Sequence, residues 1–190
     1  MNKTIISFFR LSLVCLVVLL GSQNIALAKE VKLIRVHKAE RLMELYTKTI
    51  FGREKLLKSY KISLGKNPIG HKQQEGDSRT PEGKYKISFK NPNSSFYLSL
   101  HISYPNQVDQ QRAWDRGVSP GGDIFIHGMP NAISHLFRLV PNSFNGEPEE
   151  WVYNFLSGMD WTEGCIAVRN DEMKEIYQLV NAGTDIEILP

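Results

Sequence analysis

Cysteine is nearly absent from this 190-residue chain, which has only Cys15 and Cys165. Cys15 falls inside an N-terminal apolar stretch, so the rest of the chain holds a single thiol. No disulfide can form within it, and stability has to come from packing. An excess of one charge is lacking too: 23 Lys and Arg face 20 Asp and Glu, for a formal net charge of +3. No block of like charges occurs. That balance excludes the basic footprint of a nucleic-acid binder. The five histidines, His37, His71, His101, His127 and His135, are scattered. No His-x-x-x-His or Cys-x-x-Cys pair offers zinc spacing. Phosphate loops and dinucleotide fingerprints are missing, so neither metal nor cofactor is expected. There are no internal repeats and no low-complexity segments.

The one long apolar run covers residues 11–20, behind Lys3 and Arg10 and ahead of Ala26-Leu27-Ala28, a small-x-small site. This pattern predicts a cleaved export signal over residues 1–28, and hence a periplasmic protein. The run is short for a membrane span of about 20 residues, so no stable membrane insertion is expected after cleavage; an uncleaved anchor is the alternative. Ser12 and Val14 do not suit lipidation at Cys15. Cleavage removes Lys3 and Arg10, lowering the net charge from +3 to +1, and leaves residues 29–190 as one domain with its own core.

That domain reads as strand-rich. β-Prone segments lie at residues 31–36, 42–46, 56–64, 83–91, 96–103, 123–127 and 184–189. Between Gly83 and Asn91, Tyr85, Ile87 and Phe89 alternate with Lys84, Lys86, Ser88 and Lys90, a half-exposed strand of period two. Turn formers cluster at residues 65–70 and 76–83. Asp77, Arg79, Thr80 and Glu82 read as a turn holding two strands, and Tyr104-Pro105-Asn106 as structural. Ser119-Pro120-Gly121-Gly122 is either a tight turn or a source of backbone N–H groups near a ligand. Trp114 and Trp161 read as core or rim aromatics. One helix is clear: Asn170 or Asp171 as cap, Met173, Ile176, Tyr177 and Val180 on one face, and Gly183 past its end. A shorter helix is expected over residues 108–116. The fold class is mainly β, a sandwich or barrel with one C-terminal helix before the last strand.

A lone exported thiol either pairs with another chain or performs chemistry. Cys165 follows Gly164, with Thr162 three residues back. A nucleophilic thiol needs a base and donors for an oxyanion. His127 is the candidate base, since it ends the apolar segment Ile124-Phe125-Ile126 and precedes Gly128; a strand end holds a side chain rigidly. A satisfied structural histidine is the competing reading.

Four segments then resemble one family, the YkuD-type L,D-transpeptidases of the bacterial cell wall. They are residues 76–83, residues 98–106, Ile126-His127-Gly128 and Thr162-Glu163-Gly164-Cys165, in family order. The resemblance implies a β-sandwich-like catalytic domain with Cys165 as nucleophile and His127 as general base. It also implies that the Gly128 carbonyl holds the imidazole, that Thr162 and Gly164 support the motif, and that backbone N–H groups near Cys165 form the oxyanion hole. The chain departs from the family pattern at two places. Glu163 stands where many relatives have a histidine. Ala167 stands where many have an arginine, with Arg169 two residues later. Glu163, Arg169, His101 and Trp151 are candidate substrate contacts. His127 and Cys165 lie farther apart in sequence than is common in the family, because of an excursion over residues 130–159 that contains Trp151, Tyr153 and Phe155. It is expected to be either a lid on the acceptor side of the cleft or a surface excursion with its own small core.

The implied reaction is acyl transfer on peptidoglycan stem peptides: cleavage of the diamino acid–D-alanine bond through a thioester, and transfer to an amine. That amine would give a 3→3 cross-link or attach a wall lipoprotein. A hydrolase with the same residues, trimming stems or releasing attached protein, is the nearest rival. A non-catalytic wall-binding domain is a rival from another class. A papain-like amidase would place cysteine before histidine, the reverse of the order here.

Overall fold

Period-two alternation builds most of the sheet in the computed structural model, which describes residues 30–132 and 148–190. The expected export signal and residues 133–147 of the excursion, with His135 and Glu147, lie outside the described residues. Eight strands follow in chain order: β1 (Leu33–His37), β2 (Leu42–Lys48), β3 (Glu54–Lys61), β4 (Gly83–Ser94), β5 (Tyr97–Ile102), β6 (Phe125–His127), β7 (Ile166–Ala167) and β8 (Asp185–Leu189). Three helices among the described residues interrupt them: α1 (Gln107–Asp115), α2 (Pro148–Ser157) and α3 (Asn170–Leu179). The fold is mainly β, with α3 directly before the last strand.

The strands form one sheet in the order β3-β2-β1-β8-β4-β5-β6-β7. β4 bends the sheet. Its residues Gly83 to Lys86 pair with β8 and its later residues with β5, with a register shift between Ile87 and Phe89. Beyond β3 the chain crosses to the far edge, where Ser63 and Ala167 exchange two backbone hydrogen bonds of 2.9 Å each. The two ends of the sheet therefore meet. Inside lie Ile34, Val36, Met43, Leu45, Ile87, Leu100, Ile102, Ile126, Ile166, Ile186 and Ile188, with Met173, Ile176 and Val180 of α3 packed on them. Burying each such side chain contributes about 1.5–3 kcal/mol.

Several elements differ from the sequence reading. The third strand ends at Lys61; Ile62, Ser63 and Leu64 belong to the bridging segment. β6 begins at Phe125, because Asp123 adopts a left-handed backbone (φ 54°) that leaves the ladder. The N-cap of α3 is Arg169, whose N–H is accepted by Glu172 Oε2 at 3.1 Å. Asn170 is engaged instead with the Met129 N–H, at 2.8 Å. β7 and α2 were not expected. β7 is too short to show a period, whereas α2 carries a helix-start signal in Pro148-Glu149-Glu150. Trp114 is neither core nor rim: it is exposed on α1. That helix starts with a capping box, Asn106 accepting the Val108 and Asp109 N–H groups while Asp109 accepts the N–H of Asn106.

The turn-rich segment between β3 and β4 is held by buried charge. Asp77 accepts backbone N–H groups from Gln73, Gln74 and Arg79, and the Lys72 ammonium at 2.8 Å. Lys38 is 2% exposed and reaches the carbonyls of Gly70 (2.6 Å) and Thr80 (2.9 Å) and the Glu82 carboxylate (2.8 Å). Removing one partner of such a buried set leaves the others without compensation. Lys38→Met should cost about 3 kcal/mol of stability in urea unfolding. A loss under about 1 kcal/mol would show that water replaces the ammonium.

Candidate active site

β6 and β7 run parallel, with Ile126 opposite Ile166 and His127 opposite Ala167. Cys165 directly precedes β7. Alternation then puts Phe125 and His127 on the same face as Cys165 and Ala167. The thiol and the imidazole are thus diagonal neighbours on that face, although far apart in sequence.

His127 is 4% exposed, covered by the Phe96 ring at 4.5 Å and the Trp161 ring at 5.7 Å between centroids. Its Nδ1 lies 2.7 Å from the Gly128 carbonyl oxygen. A carbonyl can only accept, so Nδ1 carries the proton and Nε2 keeps its lone pair. Burial drives the imidazole pKa down to about 4, partly opposed by that hydrogen bond. The ring is neutral at pH 7, the form a base requires. A Cβ at Gly128 would sit 2.5 Å from Asn170 Oδ1 and 3.2 Å from the Phe96 carbonyl oxygen, so a side chain there would push Asn170 off the Met129 N–H.

The turn carrying Cys165 is shaped by Thr162. Its buried hydroxyl donates to the Cys165 carbonyl at 2.7 Å and accepts the Gly164 N–H at 3.1 Å. Gly164 has φ +127° and a Cβ there would lie 2.7 Å from the Arg79 carbonyl oxygen, so only glycine fits. The half-buried Cys165 sulfur accepts the Phe125 N–H at 3.4 Å and lies 3.5 Å from the Asp123 carbonyl. Burial pushes the thiol pKa up, and the Asp123 charge pushes it the same way, against that N–H and Lys72. Glu163 does not contribute. It points outward to the Lys66 ammonium and the Ser78 hydroxyl, which hold its carboxyl below the usual range.

Both groups line a cleft of about 430 Å³ whose wall includes Asn91, Asn93, Ser94, Ser95, Phe96, Ser99, Asp123, Trp161 and Glu163. The remaining candidate contacts are not on that wall. His101 lies one step along the same face as Ser99, stacked on Phe89 at 4.6 Å and edge-on to Phe125 at 4.9 Å. Arg169 caps α3 and donates to Asn154 Oδ1 at 2.8 Å, tying α2 to α3. Trp151 belongs to α2, and its side chain lies outside the described ones. Residues 119–122 form a tethered turn: Ser119 O accepts the Glu75 N–H and Pro120 O the Tyr104 hydroxyl. Sequence reasoning overlooked the 91–96 hairpin and Asp123; the only local hint at Asp123 is a non-glycine residue following Gly121-Gly122. No group of His, Cys, Asp and Glu among the described residues could hold a metal ion.

The arrangement is a thiol and a buried neutral imidazole set side by side on a closed β-sheet. The chain belongs to the YkuD family of L,D-transpeptidase catalytic domains, whose family model matches residues 31–188. It is 31% identical over 150 residues to the protein named "Putative L,D-transpeptidase YafK" of Escherichia coli (strain K12); the match covers 77% of this chain and 46% of that protein. Its fold is similar to that of Pgp2 from Campylobacter jejuni, described as a helical cell shape determining protein (TM-score 0.58, 24% identity, covering 83% of this chain and 47% of that one). It is also similar to that of Bd1075 from Bdellovibrio bacteriovorus (TM-score 0.54, 22% identity, 85% and 49%). The chain spans about half the length of each. No helix among the described residues is long and apolar enough to cross a membrane.

Two measurements test these electrostatics. The folded His127 pKa of about 4 lies below the ordinary 6.5. Between those values the unfolded chain binds a proton that the folded chain refuses, so this residue makes stability rise with pH across that window. The contribution is about 3 kcal/mol. Urea unfolding of His127→Gln from about pH 4 to about pH 7 should lack that part of the slope; an unchanged slope would mean the imidazole is not buried neutral. Alkylation of Cys165 by iodoacetamide should have its midpoint above the ordinary thiol value, since only the thiolate reacts. A midpoint below that value would reveal a preformed thiolate–imidazolium pair.

Proposed function

We propose that this chain is a cysteine-dependent acyltransferase acting on peptidoglycan stem peptides. The observation that carries the reading is the placement of Cys165 and His127 as diagonal neighbours over one cleft, with the imidazole neutral and its tautomer fixed by the Gly128 carbonyl. His127 Nε2 takes the thiol proton as sulfur attacks the carbonyl carbon of the third residue, a diamino acid, in a tetrapeptide stem. A C–S bond forms, the C–N bond to D-alanine breaks, and the imidazolium gives its proton to the leaving amine. An incoming amine then attacks the thioester, the C–S bond breaks, and the proton returns to sulfur through His127. The products are a 3→3 cross-link or a wall-attached protein.

Backbone supports the oxyanion. The Gly164 N–H is taken by Thr162, whereas the Cys165 N–H has no acceptor among the described residues. It is the proposed donor, a role that contributes a few kcal/mol, about 3. Thr162 and Gly164 act by shaping the turn that presents it. Glu163, tied to Lys66 and Ser78, serves as rim. The substrate lies outside the cytoplasmic membrane, which agrees with export through residues 1–28 and a periplasmic location.

Mass spectrometry of muropeptides after incubation with tetrapeptide-rich peptidoglycan tests the reading, with Cys165→Ala as control. New 3→3 linked dimers absent from the control are the expected result. Tripeptides or released attached protein without new links would reassign the same site to hydrolysis. No Cys165-dependent change in any species would leave a wall-binding domain.

A further inference from the structure

Two acidic side chains line the cleft, and their situations differ. Glu163 is neutralised by Lys66 and Ser78 at the rim. The Asp123 carboxylate makes no hydrogen bond or ion pair among the described residues, although it is exposed on the cleft wall. The Asp123 backbone lies beside the sulfur, its carbonyl facing Cys165 Sγ at 3.5 Å, and the carboxylate charge acts on the thiol from there. The backbone at Asp123 is left-handed, with φ 54°. Asp is among the few non-glycine residues found there, and the conformation is less favourable than the extended one. His127 is neutral, and Lys72 is taken up by Asp77. The wall of this cleft therefore carries one uncompensated charge among the described residues, and it is negative.

We propose that Asp123 forms an anionic subsite beside the Cys165 thiol that takes the primary ammonium of a diamino acid. An unpaired carboxylate there opposes formation of a thiolate, so the empty site is held back by its own charge. A bound ammonium cancels that charge, which couples occupancy of the subsite to activation of the nucleophile. Ser99 and Phe125 line the same cleft, one offering a hydroxyl and the other an apolar ring to the rest of such a side chain. The identity of the ligand as part of a peptidoglycan stem rests on the function proposed above; the preference for an ammonium does not.

The ammonium has two sources in that reaction: the free end of the donor stem's own diamino acid, or the amine of the acceptor. Binding is measured first, by calorimetry of the full chain with tripeptide stems ending in diaminopimelate or lysine, each with the side-chain amine free or acetylated. These stems have no D-alanine to lose. The free amines should bind about tenfold more tightly, and Asp123→Asn, which tolerates the same backbone, should abolish the difference. Equal affinity for free and acetylated stems, or a preference that survives in Asp123→Asn, overturns the subsite. Turnover then separates the sources. Slower D-alanine release by Asp123→Asn from free-amine tetrapeptides alone places the donor's ammonium there. Unchanged release with fewer cross-links places the acceptor's. If muropeptides show no Cys165-dependent product yet the binding preference and its loss are seen, the proposed reaction fails and the ammonium subsite stands.

Discussion

The paired backbone hydrogen bonds between Ser63 and Ala167 are the constraint on which the cleft depends. β7 has only two residues, too few to hold a position through one neighbour. β6 grips it on one side and the segment after β3 on the other. The grip continues on the Cys165 side, where Thr162 donates to Leu64 O and accepts the Lys66 N–H. Residues 162–167 are thereby fixed from both edges. Without the second edge, Cys165 would sit at the end of a loose strand, and its distance from His127 would vary. The buried ammonium of Lys38 and the Asp77 turn serve the same end. They hold residues 70–82 against the sheet, and the Arg79 carbonyl of that stretch is what closes over Gly164.

Electrostatically the cleft is quiet before reaction. The imidazole is neutral because it is buried, and burial also favours the neutral thiol. The cations nearby are already spoken for, Lys66 by Glu163 and Lys72 by Asp77. In the proposed reaction charge develops when the proton moves from sulfur to His127, in surroundings where fixed dipoles act strongly because water is largely excluded. The phenyl and indole rings of Phe96 and Trp161 supply that exclusion, and the Gly128 carbonyl supplies the orienting acceptor in place of a carboxylate. Such a site uses backbone groups for jobs that side chains do elsewhere. Its function then depends on chain path more than on residue identity, and the unpaired Asp123 is the exception.

How much was legible follows the range of the forces. Tyr85 and Ile87, buried on alternate positions of β4, and Met173, Ile176 and Val180 on one face of α3, were readable because local periodicity reports burial. The family resemblance was legible in four short segments, residues 76–83, 98–106, 126–128 and 162–165, because each is a local motif and their order is fixed by the chain. Other features left no local trace. The α3 cap went to Arg169 because Asn170 was drawn off by Met129, a partner 41 residues away. Glu163 could face the thiol or solvent from its spacing alone, and Lys66 and Ser78 decided the direction.

The amino-acid sequence by itself determined the class of the molecule: a strand-rich domain, a thiol placed after a glycine, a histidine ending an apolar strand, and a family membership carried by short ordered motifs. These are properties of composition, alternation and local order, which act within a few residues. Only the tertiary structure decided that the sheet closes on itself at Ser63 and Ala167, that His127 is buried under Phe96 and Trp161, that His101 and Arg169 lie off the cleft, and that Asp123 stands unpaired among the described residues on its wall. Each of these rests on contacts between distant segments, where burial and a specific partner, more than the residue type, set geometry and charge.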